Sequence, residues 1–382
     1  MIRRYGQLCT VAYGAGAINS TGEIAKKLGF TKVMIVTDKQ VEALGHSQKS
    51  IDSLKKANIE TVIFNGVEMD APDYTVEAGG NMAKKEHVDG IIGVGGGSVL
   101  DTAKGIACFA ANEITVSDMI HHAPMKNPPV KFILIPTTSG TGSESTFVAV
   151  ITDTKNHEKV GCFSVPSFSI LDPELTLSLP KDITVYTGMD AFSHCTESLT
   201  SMQPNPHSDL LAYDAIKRIV NWLPVAYKEP GNYEARDNLA LASNFAGKSF
   251  NDSTVHVGHA IAHSFGANFH IPHGIGCALV TPTIIELTAP KFPEKIKKVG
   301  KIMGIIIDSE DGVVIGKTVA DGVRKFMKSL KVPSCKKLGL KKEDVLNCAD
   351  YVLSEPLRNF AGVPVTDEMV PKLLEKIYDT YQ

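Results

Sequence analysis

The chain has 382 residues, 43% hydrophobic and 21% charged, with 39 basic against 42 acidic side chains. That length exceeds what one core organises and predicts two domains, while so ordinary a composition excludes a disordered chain. A formal net charge of -3 without basic runs argues against a nucleic-acid partner, and no apolar stretch is long enough for a membrane span, so a cytoplasmic protein is expected.

Short apolar runs at Val33–Val36, Thr61–Phe64, Gly90–Val94 and Lys131–Ile135 alternate with helical patterns such as Ile51–Ala57 and Thr75–Glu86. Continuous runs of this kind suit buried parallel strands, so the first half reads as an α/β domain with a doubly wound, mainly parallel, Rossmann-like sheet. Ligands of such sheets bind beyond the carboxyl ends of the strands. Asp38 follows the first run, where a carboxylate accepts ribose hydroxyls and repels an extra phosphate, which favours NAD over NADP. Gly14-Ala15-Gly16 lacks the preceding strand and the third glycine of a dinucleotide fingerprint.

The run Gly90–Val94 leads into Gly95-Gly96-Gly97-Ser98 and the helical stretch Val99–Ala107. Three glycines clear side chains from a place where a following helix aims free N–H groups and its positive dipole end, so a diphosphate fits there. Ser98 and Asp101 have the S-x-x-D spacing of a capping box, which would explain those two residues but not the glycines. The next run ends in Pro136-Thr137-Thr138-Ser139-Gly140-Thr141-Gly142-Ser143-Glu144, a hydroxyl-rich turn suited to the same ligand.

Prolines from Leu171-Asp172-Pro173 to Leu179-Pro180 close the first domain and set the expected boundaries at 1–180 and 181–382. Beyond about Thr184 the periodicity is helical, at Asp209–Trp222, Tyr233–Lys248, Pro293–Met303, Gly316–Ser329 and Val370–Tyr378, which predicts an all-α second domain. Five of the 12 histidines, His256, His259, His263, His270 and His273, crowd into one short segment. His259 and His263 are four residues apart and share a helix face, as do Asp190 and His194 upstream. Facing pairs of nitrogen and oxygen ligands suit a catalytic Fe(II), Zn(II), Mn(II) or Co(II), since structural zinc usually recruits thiolates. Spacing leaves open which of His263, His270 and His273 joins the set. The seven cysteines contain no C-x-x-C pair and read as reduced, with Cys195 and Cys277 as small packing residues beside the candidate ligands.

Together, Gly95-Gly96-Gly97-Ser98 with Asp101 and Lys104, the turn Pro136 to Glu144, Gly188-Met189-Asp190-Ala191 with His194, His259 to His263, and His273-Gly274 resemble the iron-containing (group III) alcohol dehydrogenases from end to end. The resemblance implies a dehydroquinate synthase-like architecture, an α/β N-terminal domain followed by an all-α one. It also implies a metal-dependent oxidoreductase that passes a hydride between a small primary alcohol or diol, or its aldehyde, and NAD(H). On this resemblance Asp190, His194, His259 and His273 coordinate one divalent ion, Fe(II) first and Zn(II) second. His263 then lies beside the substrate as the catalytic residue, a proton relay by virtue of its near-neutral titration. The diphosphate falls on Gly96, Gly97 and Ser98, with Gly95 and Asp101 in the same turn. Nicotinamide and ribose lie near Thr137, Thr138 and Lys159, and the adenosine ribose lies at Asp38. NADP is the lesser choice of cofactor, and a homodimer or larger homo-oligomer is implied.

The chain departs from many relatives at Phe192-Ser193-His194-Cys195-Thr196-Glu197, where Leu-Thr-His-Ala-Ile-Glu is common, at Asp73 in place of Asn, and at Val148, a position frequently polar. Two rival readings keep the architecture, a glycerol dehydrogenase and a dehydroquinate synthase-like enzyme. A third is a non-catalytic metal or nucleotide sensor, which needs the binding motifs without turnover.

Overall fold

In the computed structural model, which describes residues 5–203 and 205–382, the chain divides after Leu179, and Tyr5 and Gly6 group with the second unit. The first unit holds strands β1 (Thr10–Tyr13), β2 (Lys32–Val36), β3 (Glu60–Phe64), β4 (Gly90–Gly95), β5 (Phe132–Pro136), β6 (Val148–Asp153), β7 (Glu158–Phe163) and β8 (Phe168–Leu171). Between them run helices α1 (Thr21–Leu28), α2 (Lys39–Ala43), α3 (His46–Lys56), α4 (Asp73–Glu86), α5 (Gly97–Ala110) and α6 (Val116–Ile120). Six strands form one sheet in the order β1-β8-β5-β4-β2-β3, with every neighbouring pair parallel.

Side chains of a strand point alternately to its two faces, so a strand buried on both sides is apolar throughout. In β2, Met34 and Val36 enter the core shared with α4 and α5, while Val33 and Ile35 enter the core on the opposite face. From β2 the chain moves outward to β3 and then returns to the other side of β2 as β4. That reversal makes the β2/β4 crevice the place where a doubly wound sheet binds its ligand. Val36 is in register with Gly93, and Thr37 Oγ1 donates to the Val94 carbonyl at 2.9 Å, so Asp38 and the glycine turn leave the sheet side by side.

The antiparallel hairpin β6–β7 is separate from this sheet, and the sequence reading did not foresee it. It buries Ala149, Ile151 and Cys162 against the α5 side while Phe163 stays exposed.

The second unit contains helices α7 (Lys181–Thr200), α8 (Pro206–Lys228), α9 (Tyr233–Ser253), α10 (Val257–Phe269), α11 (His273–Thr288), α12 (Pro293–Ile302), α13 (Gly312–Ser329), α14 (Lys342–Leu346), α15 (Ala349–Ser354) and α16 (Met369–Thr380) around one core. Among the described residues, no helix is long and apolar enough to cross a membrane. Within α7 every residue from Gly188 to Thr200 is buried. Three of the hydroxyls in this stretch turn back onto their own helix, Ser193 to the Asp190 carbonyl at 2.7 Å, Thr196 to Ser193 at 3.0 Å and Thr200 to Thr196 at 2.9 Å, while Ser198 pairs with Ser249 and Ser253 of α9. Back-bonding of this kind lets short polar side chains sit inside a core without orphaned groups.

Candidate metal centre and phosphate-binding turn

The four-residue spacing of Asp190 and His194 puts both on one side of α7, and His259 and His263 repeat that arrangement on α10. His273 is the first residue of α11, directly after Pro272. The three helices bring Nε2 of His273, His194 and His259 to 3.5, 3.6 and 3.9 Å from Asp190 Oδ1. That oxygen is buried and accepts no hydrogen bond. A carboxylate left so far from water is costly unless a cation meets it. Bonds of about 2.0–2.2 Å to nitrogen and oxygen set neighbouring donors of a tetrahedral ion about 3.3–3.6 Å apart. The observed spacings fit a divalent ion drawn in among these four side chains.

Glu197, one turn beyond His194, holds the centre from behind. Its Oε1 accepts from His259 Nδ1 at 2.8 Å and its Oε2 from the His256 backbone N–H at 2.6 Å. A carboxylate on Nδ1 fixes the tautomer that leaves Nε2 as the ligand atom. Burial pushes Glu197 up, but the His259 and His256 rings and these bonds outweigh it and hold the carboxyl down to about 2. Burial likewise works to lower His259, yet Cys277 and Glu197 reverse this and keep the imidazole well above its ordinary value. The fit between α7 and α10 depends on Gly258, where a Cβ would stand 2.3 Å from Glu197 Oε1.

The other histidines of the crowded segment go elsewhere. His263 turns its ring toward His273, 5.5 Å between centroids, and its Nδ1 lies 3.3 Å from Glu355 Oε2. His256 sets Nε2 against Thr200 Oγ1 at 3.0 Å and Nδ1 3.2 Å from Glu197 Oε2, and His270 is exposed at the left-handed end of α10. Two residues at the centre escaped the sequence reading in this role. Glu197 had only its place one turn from His194 to mark it. Cys277, read as packing, brings Sγ to 3.4 Å from His273 Nε2 and 3.8 Å from His259 Nε2, and burial pushes its thiol up to about 11. Its spacing of four from His273 was the available signal.

In the first unit, α5 starts behind Gly96, whose extended backbone (φ -77°, ψ -174°) carries no side-chain cap. None of Gly95, Gly96 and Gly97 has a positive φ, so they serve close approach rather than an unusual turn. A Cβ on Gly97 would stand 2.6 Å from Thr141 Cγ2 in the hydroxyl-rich loop. Ser98 and Asp101 form no capping box. Ser98 Oγ accepts the Asp70 backbone N–H at 3.0 Å, and the Asp101 carboxylate accepts from Ser143 Oγ at 2.6 Å and from the Val150 N–H at 3.1 Å. Lys104, wholly buried, donates to Ser143 Oγ, Thr146 Oγ1 and the Val148 carbonyl. Burial lowers its ammonium to about 8 against the pull of Asp101 and Glu144.

The remaining cofactor candidates lie around this turn. Thr137 donates its backbone N–H to the Gly95 carbonyl at 2.9 Å, and Thr138 stands beside Gly96. Lys159 on β7 pairs with Asp70 at 2.8 Å. Asp38 caps α2, its Oδ1 accepting from the Gln40 and Val41 amides at 2.8 Å each.

Residues 10–173 match the iron-containing alcohol dehydrogenase family, and residues 184–378 match the C-terminal part of the Fe-containing alcohol dehydrogenase family. The 1,3-propanediol dehydrogenase of Citrobacter freundii is 34% identical over 349 residues, 90% of this chain and 90% of that protein. Among solved structures, the alcohol dehydrogenase from Oenococcus oeni superposes with a TM-score of 0.92 at 34% identity, covering 97% of this chain and 98% of its own. The sulfoacetaldehyde reductase from Bifidobacterium kashiwanohense, in complex with NAD+, superposes with a TM-score of 0.89 at 28% identity and covers 100% of both chains.

Proposed function

This chain belongs to the iron-containing alcohol dehydrogenase family, and on that footing we propose that it interconverts a small primary alcohol or diol and its aldehyde with NAD(H), at an Fe(II) ion held by Asp190, His194, His259 and His273. The observation that carries the reading is Asp190 Oδ1, buried, without a hydrogen-bond donor, and ringed by three imidazole nitrogens within 3.9 Å. Zn(II) is the alternative ion, because the donors suit both. Held by those four side chains, the ion would supply Lewis acidity, and the dinucleotide would supply the hydride chemistry.

The side chains divide the rest of the work. Glu197 orients His259 through Nδ1, so that Nε2 faces the ion. His263 relays the hydroxyl proton, with Glu355 3.3 Å from its Nδ1 as the next carrier. At the start of α5, the amides of Gly97 and Ser98 take the diphosphate, with Gly95 and Gly96 leaving its approach clear. Asp101 acts through Ser143 to shape the loop that bears Thr137 and Thr138, which with Lys159 flank nicotinamide and ribose. Asp38 accepts ribose hydroxyls and disfavours the extra phosphate of NADP. The working form in this reading is a cytoplasmic homodimer or larger homo-oligomer.

The test is to strip the purified protein with a chelator, restore it with Fe(II), Zn(II), Mn(II) or Co(II), and follow NAD reduction with short alcohols and diols. Activity should vanish on chelation and return first with Fe(II). Failure of every alcohol to sustain reduction of added NAD would leave a sensor, or an enzyme that regenerates its cofactor internally as a dehydroquinate synthase-like one does.

A further inference from the structure

The one thiol at the metal centre stands where a ligand would. His273 and Cys277 are four residues apart on α11 and so share a helix face. Asp190, His259, His273 and Cys277 offer donor atoms that all lie within 4.8 Å of one another, a group completed by Cys277 rather than by His194. With five donors, neighbouring ligands subtend about 90–120°, so bonds of about 2.1 Å to nitrogen and 2.3 Å to sulfur set the two donors about 3.1–3.8 Å apart. Cys277 Sγ lies 3.4 and 3.8 Å from the two imidazole nitrogens, within that range. Asp190 Oδ1, only 3% of the residue being exposed, supplies an independent sign that a cation belongs among these atoms.

We propose that Cys277 Sγ is a ligand of the ion, joining Asp190, His194, His259 and His273 in a mixed nitrogen, oxygen and sulfur set. The inference rests on the reading above that those four side chains hold a divalent ion. Coordination displaces the thiol proton, as it does for any metal-bound cysteine. A sulfur donor turns the centre toward Fe(II), Co(II) and Zn(II) and away from Mn(II) and Mg(II), which suit oxygen ligands. Cys277 is therefore a specificity-determining residue for the metal.

Loading the chelated full-length protein with Co(II) and recording its absorption separates the possibilities. The expected spectrum carries visible d–d bands, which report an ion in the site, together with an intense sulfur-to-cobalt charge-transfer band in the near ultraviolet. Cys277→Ser and Cys277→Ala should keep the d–d bands and lose the charge-transfer band. Zn(II) affinity in both variants should fall by at least the about 10–100-fold typical of losing an outer partner of a ligand, with Mn(II) affinity nearly unchanged. Circular dichroism of each variant checks that it is folded, and a wild-type spectrum without the charge-transfer band decides against the sulfur ligand even if neither variant folds. Wild-type d–d bands without charge transfer overturn the sulfur ligand and leave the metal centre standing. Charge transfer that survives in both variants overturns it as well, since another thiol would be its source. Absence of all cobalt bands in the wild type defeats the metal centre itself, and the sulfur ligand with it.

Discussion

In the helical unit the candidate site is a set of side chains carried by three buried helices, whereas in the α/β unit it is a stretch of main chain left bare by glycines. Asp190, His194, His259 and His273 each offer one donor atom, and the three imidazoles gather round the single Asp190 carboxylate. The turn at Gly95–Gly97 works through N–H groups that every residue has, and its quality lies in how closely the Thr141 loop approaches α5. A side-chain site should thus fail abruptly on substitution, and a main-chain site by degrees.

The largest effect tests the abrupt half of that contrast. Asp190→Ala should lower kcat/KM by at least about 10³-fold, since Lewis acidity contributes several kcal/mol and each 1.36 kcal/mol is a factor of ten. Added Fe(II) should not restore it, and bound metal measured by atomic absorption should be lost. Activity within tenfold of the wild type would mean that the helical site is not organised around an ion.

A smaller loss is expected one bond further out. Glu197→Gln, or Gly258→Ala, which drives a methyl to 2.3 Å from Glu197 Oε1, should weaken metal binding by about 10–100-fold. The KM for NAD should stay put in both variants, and competition with a chromogenic chelator reads the affinity. Equal changes in both constants would show that the two units do not divide the work.

The main-chain site should yield more gently. Gly97→Ala pushes Cβ to 2.6 Å from Thr141 Cγ2, and overpacking of about 1–3 kcal/mol translates to a KM for NAD raised about tenfold with metal content intact. Thr141→Ser removes that methyl and should rescue much of the loss, which steady-state kinetics of the double variant would reveal. No rescue would mean that Gly97 answers to the ligand alone.

The smallest effect concerns stability. Lys104 titrates near 8 in the folded chain, against an ordinary value of 10.5, because burial disfavours its charge. Between those values the unfolded chain holds a proton that the folded chain has released. Unfolding then takes up a proton, and the contribution of Lys104 to stability rises with pH across the window. Lys104→Met should flatten that part of the melting temperature profile between pH 8 and 10.5. An unaltered slope would show that this ammonium is not what the loop is built on.

Legibility in the sequence followed the same division. The runs Val33–Val36, Thr61–Phe64, Gly90–Val94 and Lys131–Ile135 became β2 to β5 with ends shifted by at most one residue: β2 from Val33 onward, β4 and β5 are buried on both faces and so apolar throughout, whereas β3, at the edge of the sheet, showed through its β-branched residues. The hairpin β6–β7 stayed hidden, since β6 buries only alternate residues and β7 buries only Cys162 and opens with Glu158 and Lys159. The limits of α10 and α11 also gave no periodic signal, as helices enclosed by a core lack a polar stripe. At the centre, residue type and spacing pointed to Asp190, His194 and the histidine cluster. Spacing alone did not separate His273, which turns toward Asp190, from His263, whose Nδ1 faces Glu355, or from exposed His270, because that depends on how helix ends are set in space. Glu197 was beyond reach for the same reason, its partner His259 lying 62 residues away.

The enclosure of α7 from Gly188 to Thr200 has a practical consequence for redesign. Inserting or deleting one residue there would swing everything beyond it by about 100°, carrying His194 and Glu197 off the axis they share with Asp190. Mutant libraries intended to change the alcohol accepted should therefore leave this rod at fixed length and spend their diversity on the surrounding loops.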